Sequence, residues 1–158
     1  MNSNTNLKFL FVCLGNICRS PLGEGILRSK IKFSNLNWEV ESCGTSNEHE
    51  GEPPHEGSIK VAKKYNIDIS KQVSKPFKKE YINKFDYIYV MDESNYQNVA
   101  YICGQSFNDK KVDLLLNLLD DVKDKNVPDP WYSETDEAFN KVFLLIDKAC
   151  DKIIKKFK

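Results

Sequence analysis

Cys13, Arg19 and Ser20 stand in the run Leu7-Lys-Phe-Leu-Phe-Val-Cys13-Leu-Gly-Asn-Ile-Cys18-Arg19-Ser20-Pro21. Their order is that of a site that holds a phosphate and attacks it. An apolar run ends on a thiol, a short loop follows, and Pro21 suits the first turn of a helix. Such a loop rings the sulfur with backbone N–H groups at the positive end of a helix. The thiolate is the nucleophilic form of cysteine, and that end of the helix together with Arg19 favours it. The Ser20 hydroxyl can donate to the sulfur. Gly15 lets the backbone turn inward, and Asn16 tolerates left-handed dihedrals while its side chain ties the loop. Of 23 Lys and Arg residues only Arg19 and Arg28 are arginines. An arginine beside the thiol therefore stands out for its planar fork, which grips two phosphate oxygens at once.

Breaking a phosphate ester also needs a proton for the leaving oxygen. The segment Val127-Pro-Asp129-Pro-Trp131-Tyr132 holds one carboxyl between two prolines, followed by two aromatics. The prolines stiffen the loop, and Trp131 and Tyr132 can line a slot for a flat aryl group. On its own the segment reads better as a rigid connector before the last helix, its aromatics part of the core. Cys18 is close enough in the loop to pair reversibly with Cys13, because a thiolate oxidises readily and a neighbouring thiol rescues it. The other reading of Cys18 is a small buried apolar side chain.

Elements of the right kind surround these residues. Leu7–Cys13 reads as a buried strand, and Pro21 to about Phe33 as a helix with Leu22/Ile26 and Leu27/Ile31 at four-residue spacing. Gly23 and Gly25 each cost that helix about 1 kcal/mol against Ala, whether for close packing or by drift. Trp38–Cys43 is a second strand ended by Gly44, and Thr45–Pro54 a loop. A weakly amphipathic helix runs from His55 to Tyr65, and a short one over Lys78–Lys84. Tyr87–Met91 is a strand, Ser94–Cys103 a helix, and Lys111–Leu116 a fourth strand. The last helix is the clearest, with stripes through Ala138, Val142, Leu145, Ala149 and Ile153 and through Phe139, Phe143, Ile146, Cys150 and Ile154, capped by Thr135 or Ser133. Alternating strands and helices predict an α/β fold, a doubly wound parallel sheet with helices on both faces. Ligands of such sheets sit beyond the carboxyl ends of the strands, where Cys13 lies.

The chain has 158 residues, the size of one domain, with 41% hydrophobic and 29% charged residues. A formal net charge of zero gives no electrostatic case for nucleic acid or a membrane as partner. The run Phe9–Leu14 is too short for a signal peptide or a span. Residues 1–6 read as disordered, and the chain as cytoplasmic. Five cysteines with no Cys-x-x-Cys predict reduced thiols and no metal site. His49 and His55 read as an exposed loop residue and a helix start.

Taken together, these residues resemble the low-molecular-weight protein tyrosine phosphatases over almost the whole chain. The anchors are Val12-Cys-Leu-Gly-Asn-Ile-Cys-Arg-Ser-Pro21, Ser42-Cys-Gly-Thr45, Gly51-Glu-Pro-Pro54, Phe85-Asp-Tyr-Ile88, Met91-Asp-Glu-Ser-Asn95 and Asp129-Pro-Trp-Tyr132. The resemblance implies a single domain over 1–158, a four-stranded parallel sheet, and no cofactor or metal. It implies that phosphotyrosine proteins are the substrates and that the chain is a monomer or self-associates weakly. By position, Cys13 would form a phosphocysteine. Arg19 and the amides of residues 14 to 19 would bind the phosphate, with Leu14, Gly15, Ile17 and Cys18 lining its site. Asp129 would protonate the leaving phenol and then activate water. Asn16 and Ser20 would hold the loop, as would Asp92, which can also cap the helix behind it.

Departures from the family pattern point to features of this chain. A tryptophan often stands in the loop after Ser42-Cys-Gly-Thr45. Here that loop reads Ser46-Asn-Glu48-His49-Glu50-Gly51. The slot is then more polar and acidic on the side of Glu48 and His49, which predicts a preference for basic flanking residues. A supporting histidine is replaced by Gln72, which can hydrogen-bond but carries no charge. The resemblance allows phosphorylation of Tyr132, for which a solvent-facing slot aromatic is the simpler account. Arsenate reduction on the same fold would need a further redox cysteine, with Cys103 the only candidate. Phosphoarginine hydrolysis goes with a threonine at the place of Ile17, and Ile17 favours an aryl ester. A non-catalytic phosphotyrosine-binding module would have no use for nucleophile, arginine and acid together.

Overall fold

The computed structural model describes residues 5–158, and the expectation of disorder for residues 1–4 lies outside them. Thr5 and Asn6 are exposed and in no regular element. Four parallel strands form the sheet: β1 (Lys8–Cys13), β2 (Glu39–Gly44), β3 (Tyr87–Val90) and β4 (Val112–Leu114), in the order β2-β1-β3-β4. The helices are α1 (Arg19–Phe33), α2 (Glu56–Lys64), α3 (Tyr81–Lys84), α4 (Glu93–Cys103) and α5 (Asp136–Phe157).

Strand β1 is central and buried on both faces from Phe9 onward, so its sequence is a continuous apolar run rather than an alternation. Its odd positions Phe9, Phe11 and Cys13 face one core, built with Leu22, Ile26 and Leu27 of α1, Val61 and Ala62 of α2, and the apolar stripe of α5. Leu10 and Val12 face a second core with Ile82, Phe85, Val99 and Cys103. Helices therefore cover both faces, as the alternation of elements predicts.

The fourth strand is shorter than expected. Leu115 and Leu116 leave it for a 3₁₀ turn over Leu115–Leu118, which buries both leucines beneath α5. The short helix after residue 78 likewise forms only at Tyr81–Lys84.

At the carboxyl ends of the strands, backbone bonds continue the sheet into the loops. Thr45 N–H donates to Cys13 O (2.9 Å), Met91 N–H to Val12 O (3.0 Å) and Val127 N–H to Met91 O (2.8 Å). This ladder brings the segment before α5 alongside the loop that follows β1.

Candidate active site

Residues 14–18 connect β1 to α1 and curl around the Cys13 sulfur. Sγ accepts from the N–H groups of Asn16 (3.3 Å) and Ser20 (3.5 Å), and the Ser20 hydroxyl lies 3.0 Å away. Asn16 takes the left-handed conformation at φ 57°, which an asparagine adopts more readily than most residues. Its side-chain amide donates to Ser20 Oγ (2.8 Å) and Ser42 Oγ (3.0 Å), and its Oδ1 accepts from Lys75 N–H (3.1 Å). Ser42 donates in turn to Glu24 (2.7 Å), which Arg28 holds at 2.8 Å. Ser74 Oγ donates to Gly15 O (3.0 Å). The loop is thus held from β2, from α1 and from the segment before α3. Sequence reasoning did not assign Glu24, Ser42 or Ser74 to this role. Only Glu24, in the first turns of α1, lies close enough to the motif for its place to signal the role.

Gln72 reaches the loop less directly. Its amide N–H donates to Pro21 O (3.1 Å) in the first turn of α1, and its buried Oε1 has no partner among the described residues.

Arg19 is buried, yet it remains cationic. Burial disfavours its charge, but Cys13, Asp129 and Asp92 together outweigh this and raise its pKa above the ordinary arginine value. Nη1 donates to Asp92 Oδ2 (2.7 Å) and to Val127 O (2.9 Å), and Nη2 lies 3.5 Å from Asp129 Oδ2. Asp92 does two things at once. While one oxygen orients Arg19, the other accepts from Asn95 N–H (2.8 Å) and caps α4.

Asp129 Oδ1 accepts from Trp131 N–H (3.1 Å) at the start of the 3₁₀ turn Pro130–Tyr132. The carboxyl therefore has one oxygen tied to its own loop and the other turned to Arg19.

A cavity of about 200 Å³ opens above the loop. It is lined by Cys13, Leu14, Gly15, Ile17, Cys18 and Arg19 at its base and by Glu48, His49, Asp129, Trp131 and Tyr132 around its mouth. His49 is half-buried rather than exposed. Its ring faces Trp131 at 5.5 Å and packs so closely on the loop that a Cβ at residue 15 would lie 3.0 Å from its Cδ2. A side chain at position 15 would therefore need the His49 ring to give by a few tenths of an ångström. His55 does start a helix, as expected, but it too is half-buried, against Trp131 and Phe139.

All five cysteines are free and buried. Burial, then the charge of Cys13, push the Cys18 thiol well above its ordinary range. Cys103, the residue an arsenate-reducing relay would need, sits in the core on the other face of the sheet from Cys13.

Residues 8–158 match the family model described as low molecular weight phosphotyrosine protein phosphatase. The chain belongs to this family. It is 40% identical over 147 residues to the low molecular weight protein-tyrosine-phosphatase PtpA of Staphylococcus aureus strain Newman, covering 91% of this chain and 89% of that protein. The crystal structure of a protein tyrosine phosphatase from Entamoeba histolytica with Hepes in its active site is similar, with TM-score 0.88, 32% identity and 96% of each chain covered. DARP, the drosophila arginine phosphatase, superposes with TM-score 0.89 at 28% identity, over 96% of this chain and 98% of that one.

Proposed function

We propose that the chain hydrolyses protein phosphotyrosine and small aryl phosphates through a phosphocysteine on Cys13. The observation that carries this reading is the placing of Asp129 across one cavity from Cys13, with Arg19 within 3.5 Å of its carboxyl. Sγ attacks phosphorus while the phosphate oxygens lie on the loop amides and the Arg19 fork. These donors are oriented before the reaction starts and stabilise the charge that spreads over the oxygens. The bond from phosphorus to the phenol oxygen breaks, and protonated Asp129 supplies the proton to that oxygen. Ionised Asp129 then takes a proton from water, which attacks phosphorus and frees Cys13 with inorganic phosphate. No metal or cofactor enters either step.

The substrate class follows from the walls. Ile17, Leu14 and the Trp131 ring offer apolar surface for a phenyl ring, and Ile17 has no hydroxyl to receive a guanidinium N–H. The acid at Asp129 suits a leaving group that must gain a proton.

Hydrolysis of p-nitrophenyl phosphate by the wild type, Cys13→Ser and Asp129→Ala tests the reading. Wild type is expected to turn over, Cys13→Ser to be inactive, and Asp129→Ala to lose about 10²-fold or more in kcat, because the water that frees Cys13 needs a base however easily the phenol leaves. An inactive wild type, or full activity in Cys13→Ser, would overturn it.

A further inference from the structure

His55 ties the phosphate loop, through its backbone, to the acid loop and α5, through its ring. Its backbone N–H donates to Ile17 O (2.8 Å), and its Nδ1 accepts from Gly57 N–H (2.9 Å), capping α2. A backbone N–H can only donate, so the proton of the neutral ring is on Nε2. Nε2–H points at Glu134 Oε1, 3.1 Å away. The ring stacks on Phe139 of α5 (5.0 Å, 24°) and packs perpendicular to the Trp131 ring (5.7 Å, 80°).

Glu134 is held unusually. Its φ of 51° is left-handed, a conformation that a glutamate seldom adopts without outside support. Its N–H donates to Pro130 O (2.8 Å) and closes the turn that carries Trp131. Trp131 N–H is in turn the donor that orients the Asp129 carboxyl.

We propose that His55 is a positioning residue: by clasping Glu134 and bracing Trp131 it fixes the direction of the Asp129 carboxyl over Cys13. The inference rests on the reading of Asp129 as the proton donor. The clasp acts on proton delivery and not on phosphate binding, because neither His55 nor Glu134 lines the base of the cavity. Its mark is therefore a dependence on the leaving group. p-Nitrophenolate leaves with little help, whereas phenolate needs the proton.

The variants are His55→Asn, Glu134→Leu and Glu134→Gln. Asparagine still caps α2 but loses the ring and its Nε2–H. A positioned acid contributes about 10²–10⁴-fold in all, so misaiming it should cost His55→Asn and Glu134→Leu about tenfold in kcat/KM on phenyl phosphate, and under about threefold on p-nitrophenyl phosphate. Glu134→Gln still accepts from Nε2–H and should restore most of what Glu134→Leu loses. In an Asp129→Ala background, His55→Asn should add no further loss. Equal losses on both esters, or an additive loss in that background, would overturn the proposal while leaving phosphotyrosine hydrolysis standing. Should the wild type hydrolyse neither ester, the phosphotyrosine reading falls. The clasp is then judged by acrylamide quenching of Trp131 in a Trp38→Phe background, which leaves it the only tryptophan. Increased quenching in His55→Asn supports the clasp, and unchanged quenching overturns it.

Discussion

Cys13 ends β1 and Cys18 ends the five-residue loop that follows it, yet their surroundings divide the labour between them. N–H donors and the Ser20 hydroxyl converge on the Cys13 sulfur. Cys18 has burial and the nearby acidic groups Cys13, Asp129 and Glu134, which together outweigh Arg19 and keep it a thiol. Under peroxide, Cys13 would be the first to react, giving sulfenic acid and water. The Cys18 thiol would then condense with it, forming a disulfide and releasing a second water, and a dithiol would reverse the step. Wild type should recover its activity with dithiothreitol after peroxide treatment, and Cys18→Ser should not, because its sulfenic acid proceeds to the irreversible sulfinic form. Identical recovery of the two would refute a protective role for Cys18. These two residues were legible from spacing alone. The chain from Arg28 through Glu24 and Ser42 to Asn16 was not, since its members lie up to 26 residues apart and meet only when β2 pairs beside β1.

At the scale of elements, α1 shows why helix propensity misjudges a packed helix. Gly23 and Gly25 look like weak points, each about 1 kcal/mol worse than Ala in an isolated helix. In the fold, a Cβ at residue 23 would come within 2.8 Å of the Phe11 ring, and one at 25 within 2.4 Å of the Ile69 methyl. Phe11 is in the central strand and Ile69 just ahead of Gln72, so these glycines set the distance of α1 from β1 and from the segment that braces it. Gly25→Ala should therefore destabilise, by about 1–3 kcal/mol of overpacking against a propensity gain of about 1. Urea unfolding measures the difference, and a stabilised variant would mean that α1 has room to shift. The same contrast explains which elements could be read from the sequence. β1, α2, α4 and α5 carry local signals, namely apolar runs, caps and stripes; the first three fall within one residue of expectation, and α5 starts after Thr135, one of its two expected caps. β4 and α3 are set by what they pack against: Leu115 and Leu116 turn toward α5 instead of extending the strand.

Across the whole molecule the charges cancel, 23 acidic against 23 basic residues, but they are not evenly placed. Acidic residues gather around the cavity mouth. Glu48 lines it, Glu52 holds the His49 ring at 3.1 Å, and Glu134 holds His55 on the other side of Trp131. Lysines crowd the far end of α5, at Lys148, Lys152, Lys155, Lys156 and Lys158. A phosphopeptide must bring its flanking residues over this rim while its ring enters the slot. Cationic side chains beside the phosphotyrosine then gain from Glu48 and the neighbouring carboxylates, and acidic ones are repelled. The carboxylates are exposed, so each contact is worth about 0.2–1 kcal/mol and salt screens it. Two such contacts, about 0.4–2 kcal/mol together, give about a two- to thirtyfold preference in kcat/KM for a basic over an acidic phosphotyrosine peptide at low ionic strength. Raising the salt to about 0.5 M should shrink the preference without changing the rate on p-nitrophenyl phosphate, which has no flanks to be read. Glu48→Gln should shrink it at low salt as well. Equal rates on the two peptides at low salt, or a preference indifferent to salt, would show that the rim does not read charge and that selection lies in the walls formed by His49, Trp131 and Tyr132.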